Sequence, residues 1–128
     1  AQLETLVQVE CRSSLDPSSP TIARDYLGGA PELIFIDSSH EYASTLAELD
    51  LWYPALAPGG FIVLHDSSEF AASFDATNQG GVRRALSEWR QAHPEAETFS
   101  MNHNVRAQDA PGMIYQDFCG AGLIQKPV

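Results

Sequence analysis

The stretch Glu32-Leu-Ile-Phe-Ile-Asp-Ser-Ser-His-Glu-Tyr42 decides how this chain folds. Leu33 to Ile36 is a short apolar run rich in β-branched and aromatic residues, the pattern of a strand buried on both faces. It stops at Asp37, a carboxylate placed where a buried parallel strand emerges. Ser38-x-x-Glu41 then has the form of a capping box, in which the Ser accepts from a free helix amide and the Glu reaches back. The spacing predicts a helix with Tyr42, Leu46, Leu49, Trp52, Tyr53 and Leu56 on one stripe. Pro58-Gly59-Gly60 ends it, and Phe61-Ile-Val-Leu64 reads as a second strand closed by His65-Asp66. The whole is one right-handed β-α-β unit. Each strand delivers a carboxylate to its C-terminal end, the edge at which open α/β sheets bind ligands.

Outward from this unit the alternation continues, which predicts an α/β layered sandwich. Thr5-Leu-Val-Gln-Val-Glu10 is a candidate strand, followed by a polar turn from Cys11 to Ser19. Ser19 can cap a short helix with Pro20 at its first position, where a missing N–H costs nothing. Ile22, Ala23, Tyr26 and Leu27 form its apolar stripe, and Gly28-Gly29 ends it. Residues 67–81 read as a long surface loop, a kind of segment that is usually functional or mobile. Val82, Ala85, Leu86 and Trp89 mark the next helix. Thr98-Phe-Ser-Met101 is a weak strand and Asn102 to Gly112 a polar loop. Met113 to Phe118 and Ala121 to Gln125 are apolar runs, so these last segments predict an antiparallel strand pair finishing the sheet.

At 128 residues the chain is expected to be one domain, residues 1–128, and its apolar share of 44% is ordinary for a globular protein. A net charge of −10 argues against nucleic acid and against an anionic membrane surface as partners. No run of about 18 apolar residues is present. No basic, apolar leader opens the sequence. Cys11 and Cys119 lack metal-ligand spacing, and two reduced thiols in a cytoplasmic protein are the expectation.

Asp37 and Asp66 stand at the ends of neighbouring strands. Adjacent strands lie about 4.8 Å apart, so the two carboxylates can converge on one cation. Mg²⁺ takes oxygen ligands and keeps several waters, so two carboxylates can suffice. The plainer reading of Asp37 is a cap on the following helix. His40 has the titration range of a general base for a hydroxyl proton, and is equally a loop histidine beside a helix start. Trp52 and Trp89 lie at helical spacing and read as core.

Taken together, these residues resemble the class I S-adenosylmethionine (SAM)-dependent methyltransferases. The motifs are Leu33-Ile-Phe-Ile-Asp-Ser-Ser-His-Glu-Tyr42, Leu49-Asp-Leu-Trp52 and Leu56-Ala-Pro-Gly-Gly-Phe-Ile-Val-Leu-His-Asp66. They match a subgroup whose pattern is FIDG-x-H-x-Y, then D-L-x-x-W, then L-x-P-G-G-x-x-x-x-H-D. Gly81-Val82 opening a helix that ends in Trp89, and Gly120-x-Gly122-Leu-Ile, fit it too. The resemblance covers most of residues 30–125 and implies a Rossmann-like three-layer sandwich. Its sheet would be mostly parallel, in the order 3-2-1-4-5-7-6, with a C-terminal antiparallel strand pair. Residues 5–10 would be strand 3, 32–37 strand 4 and 61–66 strand 5. The family's first two strands, its glycine-rich SAM loop and its ribose-binding acid are absent from these 128 residues, and no G-x-G occurs before residue 120. With two strands missing, Leu6 to Glu10 is expected to pair directly with Leu33 to Ile36, unless a second chain fills the slot.

The resemblance further implies SAM as cofactor, approached by Asp37 and, near the adenine, by Ser13 and Ser14. It implies a small-molecule substrate bearing a hydroxyl, His40 as the base, and a Mg²⁺-type cation on Asp37 and Asp66. Related metal-dependent enzymes carry a further acidic or amide residue after the second strand's Asp, where this chain has Ser67. A homo-oligomer is one arrangement that would complete the sheet. Two rival readings stay open. One is a methyltransferase-like remnant that binds a partner without catalysing anything. The other is an oxidative tailoring enzyme of the subgroup's hydroxylase branch, for which no two-histidine, one-carboxylate spacing is evident.

Overall fold

The structure is a computed structural model that describes residues 6–101 and 119–128. Its elements in chain order are α1 (Ser19–Leu27), β1 (Leu33–Ile36), α2 (Tyr42–Trp52), β2 (Phe61–His65), a 3-10 turn (Ala71–Phe74), α3 (Gly81–Ala92), β3 (Glu97–Met101) and β4 (Ala121–Gln125). One four-stranded sheet runs in the order β1-β2-β4-β3. β1 and β2 are parallel, with Leu33 opposite Phe61 and Ile36 opposite Leu64. β4 is antiparallel to both of its neighbours. Three strands therefore point one way and the inserted one the other, the α/β architecture expected for the C-terminal part of a methyltransferase sheet.

The core lies on one face. Ile36, Ile62, Leu64 and Ile124 point to the same side of the sheet and pack under Leu49 of α2 and Val82, Leu86 and Trp89 of α3. The Tyr53 ring meets Trp89 edge to face at 4.8 Å, and His93 stacks on Trp89 at 4.0 Å. β4 carries Gly122 beneath α3 because a Cβ there would stand 2.5 Å from a methyl of Leu86. The turn before β2 needs Gly60 for space, since a Cβ would meet the carbonyl oxygens of Ala57 and Glu32, each at 2.9 Å. Gly28 ends α1 in the left-handed conformation, with φ 73°, as its sequence position predicts.

Several expectations are corrected. β1 is not buried on both faces: Leu33 is 64% and Phe35 60% exposed, because α2 and α3 both cover the opposite side. Residues 7–10 form no strand, and β1 has no second neighbour among the described residues. Their run alternates apolar Val7 and Val9 with polar Gln8 and Glu10, and among the described residues nothing covers the two valines, which stay 62% and 81% exposed. Ser38 and Glu41 make no capping box. α2 starts at Tyr42 with Glu41 as its cap residue and no side-chain cap bond. The Ser38 hydroxyl is drawn instead to the buried Glu48 carboxylate, 2.6 Å away. Ser19 is inside α1 rather than capping it, and its hydroxyl donates to Ser13 O at 3.2 Å. The segment 67–81 is not purely superficial: Ser67, Ser68, Ala71 and Asp75 are buried. β4 finds its antiparallel partner in Glu97–Met101. The run Met113 to Phe118 and the loop Asn102 to Gly112 lie outside the described residues.

Candidate active site

β1 and β2 end side by side, and their last residues feed one polar cluster. Asp66 follows β2 with φ 61°, a left-handed conformation that a non-glycine residue adopts only at a cost of about 1–3 kcal/mol. That turn sends the carboxylate inward, and its side chain is 5% exposed. His40 Nε2 lies 2.8 Å from Asp66 Oδ2, and His65 Nδ1 lies 3.2 Å from the same oxygen. His65 Nδ1 is also 3.7 Å from Asp37 Oδ1, so His65 bridges the two carboxylates. Phe74, on the 3-10 turn, meets the His40 ring edge to face at 5.6 Å. A recess of about 10 Å³, room for roughly one water-sized guest, opens among Asp37, Ser39, His40 and Asp66.

The cluster suits two chemistries. With its Nε2–H donated to Asp66, the His40 ring keeps its lone pair on Nδ1 and can accept a proton there, and Asp66 orients the ring and stabilises its charged form. Asp37, His40 and Asp66 can also hold a cation, since one ligand atom from each lies within 4.8 Å of the others. Ligands bound at about 2.1 Å sit roughly 3 Å apart when adjacent and 4.2 Å when opposite. The three groups would have to draw closer to share one ion of that size.

The structure thus brings Asp37, His40 and Asp66 together. Ser13 and Ser14 are not part of the cluster. They line a separate cavity of about 360 Å³ between α1 and the segment before it, with Ile22, Tyr26 and Trp52 on its walls. Ser13 Oγ accepts from Leu15 N at 3.2 Å, a local turn bond, and Ser14 O accepts from Trp52 Nε1 at 3.0 Å.

His65, which the sequence reading placed at the end of the second strand without a role, lies against both carboxylates. Two further residues escaped the sequence reading. Glu48 is 1% exposed in mid-helix, and its Oε1 accepts from the hydroxyls of Ser14, at 2.5 Å, and Ser38. The signal was its place on the same helix face as Thr45 and Trp52. Asp75, also buried, accepts from Thr77 Oγ1 at 2.6 Å and from the backbone N–H of Thr77, Gly81, Gln79 and Tyr42. The Thr77 hydroxyl, ahead of the Gly81, Thr77 and Gln79 amides, holds its carboxyl far below the usual carboxylate range. One side chain therefore ties the start of α2 to the start of α3.

A parallel β-α-β unit with its polar cluster at the C-terminal strand edge is the arrangement of a nucleotide-type α/β enzyme domain. The chain belongs to the methyltransferase-domain family, whose model matches residues 3–67, just over half its length. Among solved structures it is similar to the MycE methyltransferase from the mycinamycin biosynthetic pathway in complex with Mg and SAH. That likeness has 18% identity and a TM-score of 0.56, and covers 94% of this chain and 33% of that one. The same enzyme in complex with Mg, SAH and mycinamycin VI matches at 20% identity and a TM-score of 0.56, over 94% of this chain and 32% of that one. The chain thus spans about a third of the length of these relatives. No curated protein matches it.

Proposed function

We propose that this chain carries the catalytic edge of a SAM-dependent methyltransferase that methylates a hydroxyl of a small molecule. The observation that carries this reading is the His40–Asp66 pair, 2.8 Å apart at the ends of the parallel strands in a chain of the methyltransferase family. SAM, when bound, supplies an electrophilic methyl whose bond to sulfur breaks as the bond to oxygen forms. His40 takes the hydroxyl proton at Nδ1. Asp66 holds the ring in that tautomer and stabilises its charged form. Asp37, at the end of β1, faces the cofactor, and Ser13 and Ser14 approach it from the 360 Å³ cavity. Residues 1–128 act as one domain in this reading.

A divalent cation of the Mg²⁺ type on Asp37 and Asp66 is the second element of the proposal. It rests on the convergence of their ligand atoms with that of His40 within 4.8 Å. Such a cation would orient the hydroxyl and lower its pKa. Asp37→Asn and Asp66→Asn are each expected to weaken Mg²⁺ and Mn²⁺ binding in calorimetric titrations and, in the complete enzyme, to reduce metal-dependent methyl transfer. Full turnover in excess chelator would remove the cation from the mechanism and leave His40 as the base. In that case His40→Ala should cost roughly 10²–10⁴-fold in rate. A His40→Ala variant with unchanged kcat would sink the assignment.

A further inference from the structure

Asp37 and His40 stand on the loop that joins β1 to α2. β1 pairs with β2 as far as Ile36, opposite Leu64. Beyond that point the loop needs anchors of its own, because an unheld segment loses conformational freedom each time a ligand fixes it. Its far end has two. Thr45, fully buried, donates Oγ1 to Glu41 O at 3.0 Å. The backbone N–H of Tyr42 donates to Asp75 Oδ2 at 3.4 Å.

The near end is held by Glu48. This residue sits in the middle of α2, 1% exposed, and the cluster of Asp37, His40 and Asp66 does not include it. A buried carboxylate is costly unless hydrogen bonds satisfy it. Oε1 accepts from Ser14 Oγ at 2.5 Å and from Ser38 Oγ at 2.6 Å, both in the short range of hydroxyl-to-carboxylate bonds. The two serines do different things. Ser14 lies in the turn before α1. Ser38 directly follows Asp37 and lines the small recess with Asp37, Ser39, His40 and Asp66. Thr45 and Glu48 are spaced i and i+3, so they share one face of α2. That face carries both anchors, one for each end of the loop.

We propose that Glu48 is a positioning residue for the catalytic edge. Through Ser38 it holds the loop so that Asp37 and His40 stay where a cation or a substrate hydroxyl meets them. The proposal rests on the reading of Asp37 and His40 as the working groups. Glu48 touches neither of them, and its effect passes through the Ser38 hydroxyl and the backbone on either side. Ser14 separates this role from plain stabilisation. It binds the same carboxylate oxygen but lies outside the loop, so losing it should weaken the fold without loosening Asp37 and His40.

The test uses the isotope-labelled 128-residue chain. Backbone order parameters are read by NMR relaxation, and Mn²⁺ alone is the probe in calorimetric titrations. In the native chain the amides of Ser39, His40 and Glu41 should show the order of rigid backbone, about 0.85. Ser38→Ala and Glu48→Ala should each lower them to about 0.6 or below. Both should also weaken Mn²⁺ binding roughly five- to tenfold, the scale of one hydrogen bond. Ser14→Ala should keep the native loop order and an Mn²⁺ affinity within about twofold of the native chain. Circular dichroism checks each fold, and the two serine variants carry the test if Glu48→Ala does not fold. A loop that stays ordered in Ser38→Ala overturns the proposal, as does equal loosening in Ser14→Ala, or a native loop that is already mobile. A loosened loop with unchanged Mn²⁺ affinity overturns it too. Loosening confined to Ser38→Ala and Glu48→Ala, in a chain whose native form binds no Mn²⁺, upholds the positioning and defeats the cation reading instead.

Discussion

Asp75 shows how a single side chain can organise two helices. Its carboxylate satisfies amides at the starts of both α2 and α3, where helix dipoles favour negative charge. Its pKa is depressed in the fold, so its contribution is fully present above the unfolded value of about 3.9 and is lost as pH falls below it. Urea denaturation across pH 3 to 7 should show the native chain losing stability below about pH 5. Asp75→Asn should be less stable at neutral pH, melting several degrees lower, and should show a flatter acid limb. Parallel acid limbs for the two proteins would remove Asp75 as the cause. At this scale the sequence was legible where chemistry coincides with a strand end. Asp37, His40 and Asp66 could be named because apolar runs stop at them or beside them. Glu48 could not, because a carboxylate in mid-helix reads as solvated until the loops that cover it are known. Asp75 was hidden in the same way, inside a segment whose Ser, Asn and Gly content reads as surface loop.

The elements themselves were more legible than their ends. Pro58-Gly59-Gly60 announced the turn between α2 and β2, and the structure gives its cause: the chain passes between two carbonyl oxygens at Gly60. Gly60→Ala should therefore cost about 1–3 kcal/mol, the usual range for forcing atoms into a packed site. The backbone oxygens there cannot swing aside as a side chain would. Chemical denaturation of the variant measures it, and a loss below about 0.5 kcal/mol, the scale of an ordinary surface change, would show that the turn relaxes freely. The helix starts were misread for a physical reason. The short polar residues that cap helices also bind buried acids, and Ser38 has such an acid within reach. Strand β1 was read correctly in position and wrongly in burial, because an apolar run reports that a residue can be buried and not what lies above it.

For the whole molecule, the fold class was legible from the β-α-β pattern, and the family from the joint spacing of its motifs. The grip on a cofactor is a different matter. The glycine-rich loop and the ribose-binding acid of the resembling family have no counterpart in these 128 residues. Hydrogen bonds to charged groups contribute about 1.5–3 kcal/mol each, and 1.4 kcal/mol is about tenfold in affinity. Three such losses turn a micromolar site into a millimolar one. Titration calorimetry on the chain as given should therefore detect no SAM binding at micromolar concentrations. A micromolar dissociation constant would mean that other residues of this chain, or of a second copy, have taken over that grip.

The one-sided sheet has a thermal consequence. Leu33, Phe35, Phe99 and Met101 lie on the face opposite the helices and stay largely exposed in the folded chain. Unfolding can hydrate only the apolar surface that folding had dried. The heat-capacity increment of unfolding should therefore fall below the usual 12–15 cal/mol/K per residue. A smaller increment flattens the curvature of stability with temperature, so scanning calorimetry should record a small step between the folded and unfolded baselines. Anything that covers those four side chains in the folded state would enlarge that step.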